Sequence, residues 1–425
     1  MNACTFNRNY SRLFFAACVF AFAVLLAPLP APARDFGLLL NQSAVAAGDV
    51  AGNGGGEDWG ADYEAALIPR FSSSIGDAGS LYLSASLAAV YEASEWRFVP
   101  ELLRAEISWG MGAWEFSAGR MIWQDPLRLV SSGLFDGARV ARHTPRGTFG
   151  AGLWYTGFLY KNRVNIAMTD DDTVQLQTEL DWDSFADTYF ASRRAMAALY
   201  WQHPSAAELF ELSFALIGQA DLNDRYIAYH SQYFVARAAL PLSRFIFELG
   251  GAVEAGQTVA GGSTDVSLGL AADAGIHWIP AAPFPNMLSL TGRFSSGYIE
   301  GTPLDAFRPI TALPHGEVLR AEIPGLSTLG LRYTARLRPE FSLSLSAQHF
   351  VLSDLATFTA WPLTGGGTAG GYFLGTEFFG RVIWSPVSDM TLNLGAGVFV
   401  PALGDAAPSE APRLLIELAA IFALR

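Results

Sequence analysis

The middle of this chain repeatedly alternates apolar side chains with small or polar ones. In residues 341–348, Phe341, Leu343, Leu345 and Ala347 alternate with Ser342, Ser344, Ser346 and Gln348. Similar alternation runs through 288–295 and 391–398. Because successive side chains of a β-strand point to opposite faces, this period of two predicts strands with one apolar and one polar face. The apolar face of such a strand covers either a water-soluble core or the lipid side of a membrane barrel.

The composition favours the membrane barrel. The chain is 51% hydrophobic, yet beyond its N-terminal segment it has no uninterrupted apolar run long enough for a membrane-spanning helix. Its 42 glycines and its aromatic residues are spread along the whole length. A barrel strand crosses a bilayer in about 9 to 11 residues, of which only alternate ones need be apolar. The predicted fold is therefore all-β, a transmembrane antiparallel up-and-down β-barrel.

Residues 1–33 are predicted to be a secretory signal peptide. Arg8 and Arg12 precede an almost wholly apolar run from Leu13 to Leu26, and 31–33 supply the small residues of a cleavage site. That run is shorter than the ~20 residues that a spanning helix needs. We therefore expect export by the Sec pathway and a single outer-membrane barrel domain over 34–425.

Cysteine and charge usage limit the partners. Cys4 and Cys18 both lie in the predicted signal peptide, so the exported part would contain no disulfide. The formal net charge of −13 argues against a nucleic-acid partner. A bacterial outer-membrane barrel would instead contact membrane lipid and lipopolysaccharide, and the barrel-assembly machinery would insert it.

We count about eighteen candidate strands from Asp35 onward, with sixteen as the alternative. The connections alternate in length, as expected when one barrel end carries short turns and the other long loops. Short connections include 145–146 and 339–340, whereas 161–193 and 298–327 are long. The turns at 72–79 and 279–286 are longer than this scheme predicts. A final strand over 413–424 would pair with the first and close the sheet.

Two groups of motifs resemble those of the alginate-export type of outer-membrane porin. The first group reads Gly119-Arg120, Trp123, Asp125-Pro126 and Phe135 to Val140; the second reads Phe373 to Glu377, Trp384 to Pro386 and Gly395 to Pro401. This resemblance implies an 18-stranded barrel, in agreement with the strand count. It also implies a channel, with an anionic polysaccharide as one possible cargo.

Charged residues on the polar faces are the candidates for a lumen that selects solutes. An arginine at the bilayer midplane costs about 2 to 4 kcal/mol even in a barrel, so we expect these charges to face the lumen. The candidates are Arg104, Glu106, Arg120, Arg139, Arg237, Arg293, Arg332, Arg336, Arg338, Glu377 and Arg381.

Two interpretations of these charges remain open. The arginines could form a ladder that attracts anionic solutes by charge and by bidentate hydrogen bonds. Alternatively, arginines and carboxylates could form a network that braces the wall and neutralises itself. Lys161 is the single lysine among 27 basic residues, so the bias towards arginine is strong.

The connection 124–136 is a candidate constriction loop. It carries the polar residues Gln124, Asp125, Arg128 and Asp136 and could narrow the pore by folding inward, and an ordinary external loop is the alternative.

The sequence therefore predicts a passive outer-membrane channel for small hydrophilic, anionic solutes such as sugar acids or an anionic polysaccharide. A structural or adhesive barrel acting through its external loops is the alternative, followed by a transporter of hydrophobic solutes. An enzyme is not expected: the six histidines are scattered without metal-ligand spacing, and common hydrolase motifs are lacking. Only His349 hints at a barrel lipid hydrolase. No metal and no cofactor are predicted.

Overall fold

The computed structural model describes residues 34–49, 59–207, 209–311, 314–355, 371–407 and 410–424, and the predicted signal peptide lies outside them. These residues form one antiparallel sheet of eighteen strands, each paired with its neighbours in sequence. The strands are β1 Arg34–Asp49, β2 Trp59–Ile75, β3 Gly79–Glu92, β4 Glu95–Met111, β5 Trp114–Gln124, β6 Ser132–Thr144, β7 Gly147–Tyr155, β8 Arg194–Ala206, β9 Phe210–Asp221, β10 Ile227–Leu242, β11 Phe245–Ala260, β12 Ser263–Trp278, β13 Asn286–Ser295, β14 Leu326–Arg338, β15 Phe341–Leu352, β16 Phe373–Val387, β17 Met390–Val400 and β18 Arg413–Leu424.

The sheet closes into a barrel through the pairing of its first and last strands. The ladder between β1 and β18 runs from Leu38 opposite Leu424 to Asp49 opposite Arg413. Closure leaves no edge strand between the two chain ends. The predicted 18-stranded antiparallel barrel is therefore confirmed, and β18 has the predicted bounds.

The outer surface of the barrel is apolar. Leu153 and Leu249 are each 66% exposed there, and many other large apolar side chains share this surface. The alternation in the sequence matches this arrangement, because Leu345 is exposed whereas its neighbours Ser344 and Ser346 lie on the inner face. Among the described residues, no helix is both long and apolar enough to cross a membrane.

Aromatic side chains are concentrated at the two ends of this outer surface. At the end with the short turns, which we call the short-turn end, Trp201 stacks on Phe214, and Phe245 stacks on Trp278. At the opposite, long-loop end, Trp96 contacts Tyr63 and Tyr91. Two aromatic girdles flanking an apolar band are typical of barrels in membranes.

Two connections differ from their predicted lengths. β4 begins at Glu95, so it joins β3 through Ala93 and Ser94 alone rather than through a long loop. Likewise only 261–262 join β11 and β12 at the long-loop end. The remaining long connections do lie at that end, with 156–193 and 296–325 the most extended.

These two long connections fold into the barrel. The first contains three short helices, α1 Lys161–Val164, α2 Asp170–Gln177 and α3 Phe185–Tyr189. Ile166 and Phe307, from the two connections, are buried in one apolar cluster with wall residues such as Met196, Ile217 and Val235. The inner face is therefore polar only where these connections do not cover it.

Candidate functional site

A hairpin made by the ends of β5 and β6 leaves the barrel wall and enters the lumen. The ladder between β4 and β5 ends at Ala105 opposite Arg120, whereas the ladder between β5 and β6 continues to Gln124 opposite Ser132. Strand β4 meanwhile stays paired with β3 up to Glu95. Residues 121–135, which we call the inner hairpin, thus part from β4 while remaining paired with each other.

Two glycines allow the strands to bend at this point. Gly119 and Gly137 are direct partners in the β5–β6 ladder, and Gly119 has a φ of +112°. A Cβ atom on Gly119 would collide with the carbonyl oxygen of Ala105, and one on Gly137 with that of Leu153. The Gly119-Arg120 and Asp136-Gly137 motifs therefore mark a hinge between the wall and the inner hairpin.

Asp125 shapes the tip of the inner hairpin rather than facing water. Its carboxylate accepts hydrogen bonds from the backbone N–H groups of Leu127 (2.8 Å), Val130 (2.9 Å) and Ser131 (2.8 Å). Burial raises the pKa of Asp125, although these hydrogen bonds act in the opposite direction. The turn that they stabilise leaves Arg128 exposed with a positive φ of 55°.

The tip crosses the lumen and reaches distant strands. The Leu127 side chain occupies the space that a Cβ atom on Gly250, in β11, would need. On its other side, the Val130 carbonyl oxygen accepts a hydrogen bond of 2.7 Å from the Ile310 N–H. The candidate loop 124–136 thus lies inside the barrel, with 125–131 as its turn.

A cavity of about 690 Å³ lies between this tip and the wall. Its charged and polar lining residues include Gln124, Arg128, Gln202, Glu211, Arg237, Glu248, Asp273 and Arg293. It has the mixture of charges and amides that can bind a hydrated polar solute.

Five of the predicted arginines on the inner face are paired with carboxylates. The shortest nitrogen-to-oxygen distances are 2.6 Å for Arg104–Glu106, 3.0 Å for Arg139–Glu115, 2.8 Å for Arg237–Glu248, 2.6 Å for Arg293–Asp273 and 2.7 Å for Arg381–Glu417. Pairs this close neutralise most of their own field. For these five residues, the geometry favours the bracing network over the open ladder.

Arg332 differs from these five. It lies opposite Ser289 and Ser346 in the neighbouring strands, and its side chain is exposed on the inner face. Within the described ranges, no carboxylate lies at salt-bridge distance from it. Arg336 shares this face, and its guanidinium donates to the carbonyl oxygen of Pro339 at 2.7 Å.

Arg338 does not continue the row, contrary to the expectation. A bulge between Arg336 and Arg338 shifts the register, so Arg338 lies opposite Phe341. The extra residue reverses the alternation and turns Arg338 away from the inner face.

Arg120 is also wrongly predicted to line the lumen. Arg120 lies opposite Ala105, on the face that carries the exposed Ile107 and Phe116. Asp136 lies opposite Arg120, and the two side chains form a bidentate pair of 2.7 and 2.8 Å on the outward face. The pair is enclosed because the strands bend inward at this point.

Glu377 is buried rather than open to a water-filled lumen. Only 2% of it is exposed, and its carboxylate accepts the backbone N–H groups of Glu317 (2.7 Å), Val318 (2.8 Å) and Leu319 (2.9 Å). Glu377 therefore clamps the connection 296–325 to the wall.

A buried ionic cluster, which the sequence analysis missed, holds the connection 156–193. The guanidinium of Arg194 is fully buried between Asp172 (2.5 Å) and Asp221 (3.0 Å), and Arg225 also reaches Asp172 (2.7 Å). Asp172 additionally closes a capping box with Thr169 at the start of α2. The spacing Thr169-x-x-Asp172 is a sequence signal that could have indicated this helix.

This cluster predicts how docking of 156–193 depends on pH. Burial would raise the pKa of Asp172, but Arg194, Ser192 and Arg225 hold it below its ordinary value. Stability from a carboxyl with a lowered pKa is present above the unfolded value of about 3.9 and is lost as the pH falls through the folded value. Hydrogen exchange in 156–193, corrected for the pH dependence of the intrinsic exchange rate, should therefore stay slow at about pH 5 and become fast only towards about pH 2. Fast exchange already at the upper end would contradict this role of Asp172.

Comparisons with known proteins identify the fold. No protein-family model and no curated protein matches the chain. Solved structures from Pseudomonas aeruginosa do match: OccK2 (OpdF) in complex with glucuronate has a TM-score of 0.57 at 12% identity, covering 92% of this chain and 97% of that one. OpdK with vanillate gives 0.58 at 10% identity, covering 92% and 98%, and OccK11 (OpdR) gives 0.55 at 13%, covering 92% and 96%. These matches support an 18-stranded porin fold but do not single out the alginate-export family.

Proposed function

We propose that this barrel is an outer-membrane channel for the passive passage of small hydrophilic, anionic solutes such as sugar acids. The observation that carries the proposal is the combination of an apolar outer surface with a charged inner wall, narrowed by the inner hairpin. The apolar band and its aromatic girdles suit a bilayer. Selection by width and charge requires no chemical step, so no enzymatic activity is proposed.

The predicted signal peptide and the barrel fold together support the outer membrane as the location. There the apolar band would contact lipid and lipopolysaccharide, after insertion by the barrel-assembly machinery. We also propose that the chain reaches this membrane by export through the Sec pathway.

The preference for anions rests on Arg128 and Arg332. Both side chains are exposed inside the barrel, one at the tip of the inner hairpin and one on the inner wall. The two ligands bound by the similar structures, glucuronate and vanillate, are both carboxylates. The motifs resembling alginate-export porins suggest a polymer of sugar acids. The cavity of about 690 Å³ beside the inner hairpin suits a single small anion better than a polymer chain.

Replacing both Arg128 and Arg332 by alanine should reduce selectivity for chloride over potassium in planar bilayers. A single charge a few ångströms from the path of an ion is worth about 1 kcal/mol in water, so we expect roughly a fivefold fall for each arginine and about 25-fold for the pair. Arg146→Ala, in an exposed turn outside the lumen, is the matched control and should leave selectivity unchanged. A wild-type protein without conductance would refute the channel, and an unchanged selectivity in the double variant would refute the role of these arginines.

A further inference from the structure

The Arg120–Asp136 pair lies where a charged pair is expensive. Both residues occupy outward-facing positions of barrel strands, yet Arg120 is only 7% exposed. Burying two charges is costly unless nearly every donor and acceptor finds a partner. The function of this ion pair must therefore be sought in the segments of the chain that the two side chains hold together.

Arg120 joins four segments of the chain. Besides its two bonds to Asp136 in β6, Nη1 donates to the carbonyl oxygen of Leu102 in β4 (2.6 Å). Its Nη2 atom also donates to the carbonyl oxygen of Phe158, in the connection after β7 (2.9 Å). The guanidinium thus bonds to β4 next to the point where β5 parts from it.

Two further residues of the connection 156–193 bond to this stretch of β4. The Tyr189 hydroxyl donates to the carbonyl oxygen of Pro100 (2.6 Å), and Arg163 pairs with Glu101 (3.0 Å), both on the same stretch of β4. The carbonyl oxygens of Pro100 and Leu102 in β4 thus have side-chain hydrogen-bond donors although β5 has parted from this stretch.

The hinge and the tip of the inner hairpin are mechanically linked. The β5–β6 ladder is continuous from Gly119 opposite Gly137 to Gln124 opposite Ser132. A change of angle at the hinge therefore moves the tip, where Leu127 contacts Gly250. That contact borders the cavity that contains Arg128.

We propose that Arg120 and Asp136 are positioning residues that hold the inner hairpin across the lumen and so set the width of the channel. Neither residue touches the solute. The pair fixes the angle at the Gly119–Gly137 hinge, and the hinge fixes how far the tip extends towards β11. This inference rests on the proposed channel function.

The first test measures conductance. Arg120→Ala and Asp136→Asn should raise single-channel conductance by about twofold or more, with added noise as the hairpin moves. Arg142→Ala is the matched control, because Arg142 is an exposed outward arginine of the same strand β6 that stacks on Trp114 and does not touch the hinge. Wild-type conductance in both hinge variants would overturn the inference.

A reversible tether distinguishes hairpin movement from a general leak. Residues 34–425 contain no cysteine, so Leu127→Cys with Gly250→Cys offers a single disulfide that fastens the tip to β11. In the Arg120→Ala background, oxidation should restore wild-type conductance and reduction should raise it again. Raised conductance that the tether does not alter would show damage to the wall and overturn the inference.

A distance measurement separates this inference from the channel function. Spin labels at 127 and at 344, on the inner wall, should give one narrow distance in the otherwise unchanged protein and a broad distribution with Arg120→Ala. If the distance distribution broadened with Arg120→Ala but the protein did not conduct ions, the channel function would be refuted, whereas the positioning role of Arg120 would stand. An unchanged distribution in folded protein, checked by its heat-dependent mobility in gels, would refute the hinge.

Discussion

Replacing Arg194 by methionine is expected to weaken docking of the connection 156–193 by about 3–5 kcal/mol. The guanidinium is completely enclosed, and its removal leaves Asp172 and Asp221 as neighbouring buried carboxylates without their shared cation. The segment should therefore detach while the wall stays intact. Hydrogen exchange should rise in α2 and α3 but not in the β-ladders.

The matched control is Arg225→Met. Arg225 binds the same carboxylate of Asp172, but its side chain is 19% exposed, so water can replace part of the interaction. We expect a smaller loss of about 1–2 kcal/mol. If both substitutions caused the same loss of docking free energy, or if hydrogen exchange rose throughout the barrel, Arg194 would not be the specific anchor of the connection 156–193.

Replacing Glu377 by alanine is expected to release the connection 296–325 near residues 317–319. Three backbone N–H groups lose their acceptor at once, and each buried unsatisfied donor costs about 1–3 kcal/mol. We expect a total loss of about 3 kcal/mol or more, measured as faster amide exchange at these three residues.

Glu377→Gln tests whether hydrogen bonding alone explains the clamp. The amide oxygen of glutamine can still accept, so about half of the protection should remain. Full loss of protection with glutamine would indicate that the negative charge itself holds the three N–H groups. Full protection with alanine would contradict the clamp altogether.

The wall of this protein was largely predictable from its sequence. Alternating faces determine both the strand positions and the side that faces outward, since one apolar side chain in two is enough for a barrel. Strand β18 over 413–424 shows how well this pattern locates a strand. The motif at Gly119-Arg120 and Asp136-Gly137 also marked a real structural feature, although its role as a hinge was not foreseen.

The site was less predictable because alternation says nothing about where a strand leaves the wall. Arg120 and Asp136 have charges that should face water, yet a bend encloses them on the outward side. Glu377 was expected to face an open lumen, but a segment distant in sequence covers it. Arg338 was predicted to lie on the inner face, but a single bulge in β14 turns it to the other face. Contacts between segments far apart in the chain leave no periodic signal in either one.

Closure of the barrel between β1 and β18 gives the molecule two separate levels of stability. Apart from the stretch of β4 that the inner hairpin leaves, the closed sheet has no free edge from which strands can separate, so the wall should unfold as one unit. The connections inside depend instead on local contacts, such as those of Arg194 and Glu377, and each can open by itself. Substitutions in the interior should therefore change what the lumen admits while the wall keeps its resistance to heat and denaturant. The inner connections of such a barrel can therefore change during evolution while the strands of the wall are retained.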